Sequence, residues 1–210
     1  METETRQAAI DFDVEAFEQK AELESELAAA VGKNAATLLY RSGYHPRKMA
    51  SWLSGDDQRA GVVDAIVDVI TDNWLNPDYR WETISVGDLK TLCVGFGLDA
   101  DKFIGLAKGY RYGATEPSEI REPQSLADVW SIAGPKFADA LGDRSQADLI
   151  RFARGKYELD NTTRKTWSRT LNGRPPVNLD PDEFTLIEFI RCCQFCGLTV
   201  SEAMGLASQK

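Results

Sequence analysis

Residues 89–107 of this chain return one hundred positions later without a gap. Gly97-Leu98 followed by Phe103-Ile104-Gly105-Leu106-Ala107 becomes Gly197-Leu198 followed by Ala203-Met204-Gly205-Leu206-Ala207, while Leu89 and Cys93 face Phe189 and Cys193. Self-similarity at a fixed offset marks a duplicated structural unit. Landmarks upstream keep the same order: Ala30-Val31-Gly32 pairs with Ala140-Leu141-Gly142, and Leu53-Ser54-Gly55 with Leu171-Asn172-Gly173. Their spacing differs. Gly32 to Gly55 covers 23 residues and Gly142 to Gly173 covers 31, whereas Gly55 to Gly97 covers 42 and Gly173 to Gly197 only 24. The first copy therefore carries an insertion after Gly55, and the second a longer loop near Gly155-Lys156-Tyr157.

Apolar residues recur with helical rather than alternating periodicity, so the expected fold is all-α, built from two tandem bundles. In the insertion, Val62, Val63, Ile66, Val67, Val69 and Ile70 form one stripe that ends near Asn73, and Asn76-Pro77-Asp78 supplies a turn. Helix starts are expected at three capping boxes: Ser85 with Asp88, Ser125 with Asp128, and Asp180 with Glu183, the last with Pro181 at the first helical position. Gly97 and Gly197 stand where helix-ending glycines belong. Residues 113–124 contain Pro117 and Pro123 and few apolar side chains, as a linker would. The expected division is an acidic helical arm over 1–26, a first unit over 27–112, a linker over 113–124 and a second unit over 125–210.

A formal charge of −9 argues against a polyanionic partner until its distribution is considered. Residues 1–26 hold nine acidic groups against Arg6 and Lys20, and Phe12, Phe17, Leu23 and Leu27 can dock this arm on the first unit. Residues 143–174 hold eight basic groups, Arg144, Arg151, Arg154, Lys156, Arg164, Lys165, Arg169 and Arg174, against four acidic ones. The acidity is segregated from a basic segment. No apolar run reaches the roughly 18 residues of a membrane span, and the N-terminus lacks signal-peptide character, so a cytoplasmic protein is expected, with no membrane partner.

The basic segment contains the residues that carry chemistry. A helix that enters the major groove needs long polar side chains in its first turns and an apolar back. Over Thr163–Gly173, Trp167 and Leu171 supply that back, while Arg164, Lys165, Ser168 and Arg169 project elsewhere; Thr162 or Thr163 can cap the start and Gly173 the end. This stretch resembles the recognition helix of the lambda-repressor and Cro-like (XRE-type) helix-turn-helix family, which commonly runs Ser-Arg-x-Thr-(apolar)-Ser-Arg-x-x-x-Gly. Thr163 stands for the opening Ser, and Arg164, Thr166, Ser168, Arg169 and Gly173 match. The family's preceding helix often opens Ser-Gln-x-x-Leu, and Ser145-Gln146-Ala147-Asp148-Leu149 is similar to it. The stretch Arg154 to Asn161 is longer than the family's tight turn.

The resemblance implies a DNA-binding set of Ser145, Gln146, Thr163, Arg164, Lys165, Thr166, Ser168, Arg169 and Arg174. It also implies a sequence-specific regulator of double-stranded DNA, a repressor from a bacterium or a mobile element such as a phage, acting as a monomer or homodimer. In the first copy the equivalent helix runs from Tyr44 to Gly55, with Pro46 in its first turn; His45, Arg47, Lys48 and Ser51 are its counterparts, and Ala35-Ala36 replaces the Ser-Gln pair. A helix kept for packing and a second reader both fit it. The rival to DNA recognition is an acidic module of the same framework that binds a protein partner.

Two features point elsewhere only superficially. Cys192-Cys193-x-x-Cys196 has a spacing that can share zinc, but it lies in a segment rich in Phe and Ile and repeats the single Cys93, so reduced core thiols are expected, without a metal or other cofactor. With one histidine, His45, and with no phosphate-cradling loop or nucleophile constellation, no enzyme is expected.

Overall fold

The computed structural model describes residues 18–23, 25–27, 29–31, 33–34, 37–38, 85–108, 125–180 and 183–206. The described residues contain helices and no strand, so the all-α expectation holds for them. Outside them lie the stripe from Val62 to Ile70, the Asn76-Pro77-Asp78 turn, the helix from Tyr44 to Gly55 with His45, Arg47, Lys48 and Ser51, the linker 113–124, and Phe12 and Phe17 of the arm. None of the described helices is long and apolar enough to cross a membrane.

Helices α1 (Val86–Phe96) and α2 (Ala100–Phe103) reappear as α6 (Leu186–Cys196) and α7 (Val200–Met204). The shift of one hundred holds for the bounds of α1 and α6 to the residue. Local chemistry explains why. Ser85 and Asp88 form a reciprocal capping box at α1, Thr185 and Glu188 form its counterpart at α6, and each helix ends on a left-handed glycine, Gly97 at φ 62° and Gly197 at φ 71°. At both ends a sixth-residue hydrogen bond closes the cap, Leu98 N–H to Cys93 O at 2.9 Å and Leu198 N–H to Cys193 O at 3.0 Å. Both helices are apolar on most of their circumference and lie inside the bundle.

The start of α6 corrects the sequence expectation. Asp180 and Glu183 do not open the helix: the backbone carbonyl of Asp180 accepts from the N–H groups of Glu183 and Phe184 in a turn, and α6 begins only after Thr185. The reason lies in Phe184. Its ring stacks on Trp167 with centroids 4.6 Å apart and meets the edge of Trp130 at 5.3 Å, which fixes the entry to α6 one residue before the cap.

Between the repeated hairpins run α3 (Leu126–Leu141), α4 (Gln146–Arg154) and α5 (Asn161–Leu171). Ser125 and Asp128 box the start of α3 as expected. Its Trp130, Ala133, Phe137 and Leu141 form a buried stripe. Trp130 is the hub, with Phe137, Trp167, Phe184 and Phe189 all within 5.8 Å between ring centroids, each pair adding roughly 0.5–1.5 kcal/mol beyond simple burial.

Buried side chains from both halves belong to one cluster, from Leu23, Leu27 and Val31 through α1 to Met204. Helix α1 packs on α3, and α2 on α7. A carboxylate joins them: Asp101 of α2 accepts from the N–H groups of Val200 (2.7 Å) and Ser201 (3.0 Å), satisfying the open end of α7 from the opposite repeat. Lys20 of the N-terminal helical segment likewise pairs with the almost buried Glu188 at 2.9 Å.

Candidate nucleic-acid interface

Helix α4 starts because the Ser145 hydroxyl accepts from the N–H of Ala147 at 3.0 Å, and it stops at left-handed Gly155, φ 65°. Leu149, Ile150 and Ala153 form its buried face and pack toward α6. Arg151 holds the connection from Gly155 to Asp160, and Arg154 ties the end of α4 to the approach of α6. Arg151 donates from Nε to the Tyr157 carbonyl at 3.0 Å, lies 5.0 Å from the centre of the Tyr157 ring and pairs with Asp148 at 3.1 Å. Arg154 donates to the Glu183 carbonyl at 3.1 Å. The longer turn is thus tied to α4, and α4 to the approach of α6.

Helix α5 begins earlier than the sequence implies. Its cap is Asp160, whose Oδ1 accepts from the N–H groups of Thr162 (2.8 Å) and Thr163 (2.9 Å), so neither threonine caps it. The Thr163 hydroxyl donates to Asp160 Oδ2 at 2.6 Å, and these bonds hold the Asp160 carboxyl below its ordinary value. Thr163 is buried, which places it in the frame of the turn rather than on the exposed face. Trp167 and Leu171 form the apolar back as expected, joined by Thr170. The far end closes as a Schellman turn, Arg174 N–H to Arg169 O and Gly173 N–H to Thr170 O, with Gly173 at φ 71°.

Of the other residues singled out by sequence, Arg164, Lys165, Arg169, Arg174 and Ser145 are exposed, and Gln146, Thr166 and Ser168 are half-buried. The Ser168 hydroxyl lies 3.5 Å from Gln146 Oε1, so the opening of α4 and the middle of α5 meet on one face. Among the described residues, Arg164, Lys165, Arg169 and Arg174 enter no ion pair. They are available to an external anion.

The remaining arginines of the basic segment serve the fold. Arg144 hydrogen-bonds the carbonyls of Phe195, Leu141 and Ala140 and lies over the Phe195 ring, Arg151 braces the turn, and Arg154 ties α4 to the approach of α6. The simple charge count therefore overstates the free positive surface. Asn161, which the sequence did not single out, and Thr162, expected only as a cap, are both exposed in the first turn of α5. Their signal was Asp160, a favoured cap residue three positions before Thr163.

The four cysteines are unpaired and buried, and desolvation pushes the thiols of Cys192 and Cys193 well up, which keeps them protonated. Among the described residues, no group of three or more His, Cys, Asp or Glu side chains is placed to hold a metal. No protein-family model, curated protein or solved structure matches this chain.

Proposed function

We propose that the protein is a sequence-specific double-stranded DNA-binding regulator that lays α5 in the major groove, with α4 positioned over the flanking phosphates, in the manner of the helix-turn-helix family it resembles. The observation that carries this reading is the two-sided character of α5. Trp167, Thr170 and Leu171 anchor one side, while Lys165 and Arg169 stand exposed on the other and Arg164 is exposed on the flank, without an ion-pair partner among the described residues. A helix whose cations served only solubility would gain from pairing them along its own surface; α5 contains no acidic residue at all. Ser145 and Gln146 lie at the start of α4, where backbone and side-chain donors suit phosphate oxygens, and Arg174 extends the cationic edge past the Schellman turn.

Selection of bound sequences from random duplex DNA tests the assignment. Enrichment of a defined motif supports it; recovery of no motif at moderate salt contradicts it. A repressor acting by occlusion at such a site is the regulatory form we favour.

A second reading, an acidic adaptor on the same framework, draws support from the net charge of −9 and from Glu18, Glu22 and Glu26, which are exposed on the N-terminal helical segment. It predicts capture of a basic protein partner and no motif in the selection.

A further inference from the structure

We infer that Asn161 is a specificity-determining residue of α5, presenting its side-chain amide to the major-groove edge of an adenine. This rests on the reading of α5 as a DNA-reading helix and adds to it a residue and a base.

The inference follows from how α5 starts. With Asp160 as cap, the first helical residue is Asn161, two positions before Thr163, where the stretch that resembles a recognition helix begins. Counting at 100° per residue, Thr163, Trp167, Thr170 and Leu171 define the buried side, and the opposite direction passes through Asn161, Lys165 and Arg169. Asn161 thus shares the outermost line of the helix with two cations. It is exposed, and its side chain makes no hydrogen bond within the described structure.

Electrostatics separates its task from theirs. The Asp160 carboxylate already occupies the N–H groups of Thr162 and Thr163 and places a negative charge at the helix start. A phosphate is disfavoured there. A base edge that offers an amine is favoured, and an amide side chain that both donates and accepts matches adenine, whose N6 amine donates and whose N7 accepts. Thr162, next to it, has a methyl and a hydroxyl but not this paired pattern.

Rigidity completes the case. The Thr163 hydroxyl donates to Asp160 (2.6 Å) and lies 3.4 Å from the Glu183 carboxylate, and Glu183 is held through its carbonyl by Arg154 (3.1 Å). The backbone that carries Asn161 is therefore held through Asp160 and Thr163 to the approach of α6, which fixes where its amide starts from.

The test uses the full chain and the motif selected by the wild type, with adenine or 7-deazaadenine at each adenine of the site in turn. At one position the N7 deletion, which removes one of the two hydrogen bonds, should weaken wild-type binding roughly 2- to 10-fold, and an Asn161→Ala variant should be indifferent to it. The same variant should select a motif relaxed at that base pair alone, with an unchanged melting temperature and unchanged low-salt binding to random DNA. If the variant selects the wild-type motif, or is as sensitive to 7-deazaadenine as the wild type, the inference is overturned while DNA reading stands. If the wild type selects no motif, the reading of α5 fails and the inference falls with it.

Discussion

Gly134 of α3 and Thr170 of α5 touch backbone to backbone: a Cβ placed on Gly134 would lie 2.1 Å from the Thr170 carbonyl oxygen and 3.1 Å from the Cα of Leu171. This contact sets how deeply the exposed helix is seated. The next residue, Pro135, meets the end of the same helix, its Cγ being 2.9 Å from where a Gly173 side chain would begin.

Gly134→Ala therefore forces α5 outward, since the obstacle is main chain rather than a flexible side chain. We expect a loss of about 2–3 kcal/mol in denaturant unfolding, together with weakened DNA binding. Stability equal to wild type would show that the helices do not approach as described.

Trp167 joins α5 to the Trp130 and Phe184 rings. Trp167→Ala should cost about 3–5 kcal/mol, and Trp167→Phe much less, because a ring still fills the space. Chemical denaturation of both variants checks the order.

The fold is legible in sequence where local chemistry decides it. Ser85 with Asp88, Ser125 with Asp128, and the glycines at 97 and 197 mark helix ends through side chains only three residues away or through φ alone. Where two local signals compete, packing selects between them. Asp180-Pro181 imitates a helix start, but Thr185 with Glu188 is a second capping box five residues on, and the aromatic contacts of Phe184 with residues 17 and 54 positions earlier favour it. The candidate site divides in the same way. Trp167 and Leu171 follow from helical spacing, but the structural use of Arg144, Arg151 and Arg154 does not, because their main acceptors are backbone carbonyls that carry no sequence signature.

That division predicts two classes of arginine variant. Arg154→Ala, which strips the Glu183 carbonyl of its charged donor, should lower stability by about 1–3 kcal/mol. Arg174→Ala should leave the melting temperature unchanged and reduce the salt dependence of DNA binding by about one counterion. Thermal melts alongside salt titrations separate the classes; equal destabilisation by both would contradict it.

Acid stability should depend on two capping carboxylates. Hydrogen bonds from Thr163 lower Asp160, and those from Thr199 lower Glu202. A carboxyl depressed in the folded state stabilises above its unfolded value, near 4, and that stabilisation is lost as pH falls through the folded value. Between neutral pH and about pH 5 these two groups should add no slope. Below it they should steepen the decline, and Asp160→Asn with Glu202→Gln should flatten that limb in urea titrations against pH.

The central claim is that Arg164 and Arg169 read DNA from a helix whose fold does not need them. Fluorescence anisotropy at one fixed, near-physiological salt concentration, with wild type and the Arg164→Ala/Arg169→Ala variant on the selected duplex, tests it most directly. We expect the variant to keep the wild-type helical content and melting temperature and to bind at least about 100-fold more weakly, as the loss of two base or phosphate contacts requires. Undiminished affinity in a folded variant would contradict the assignment.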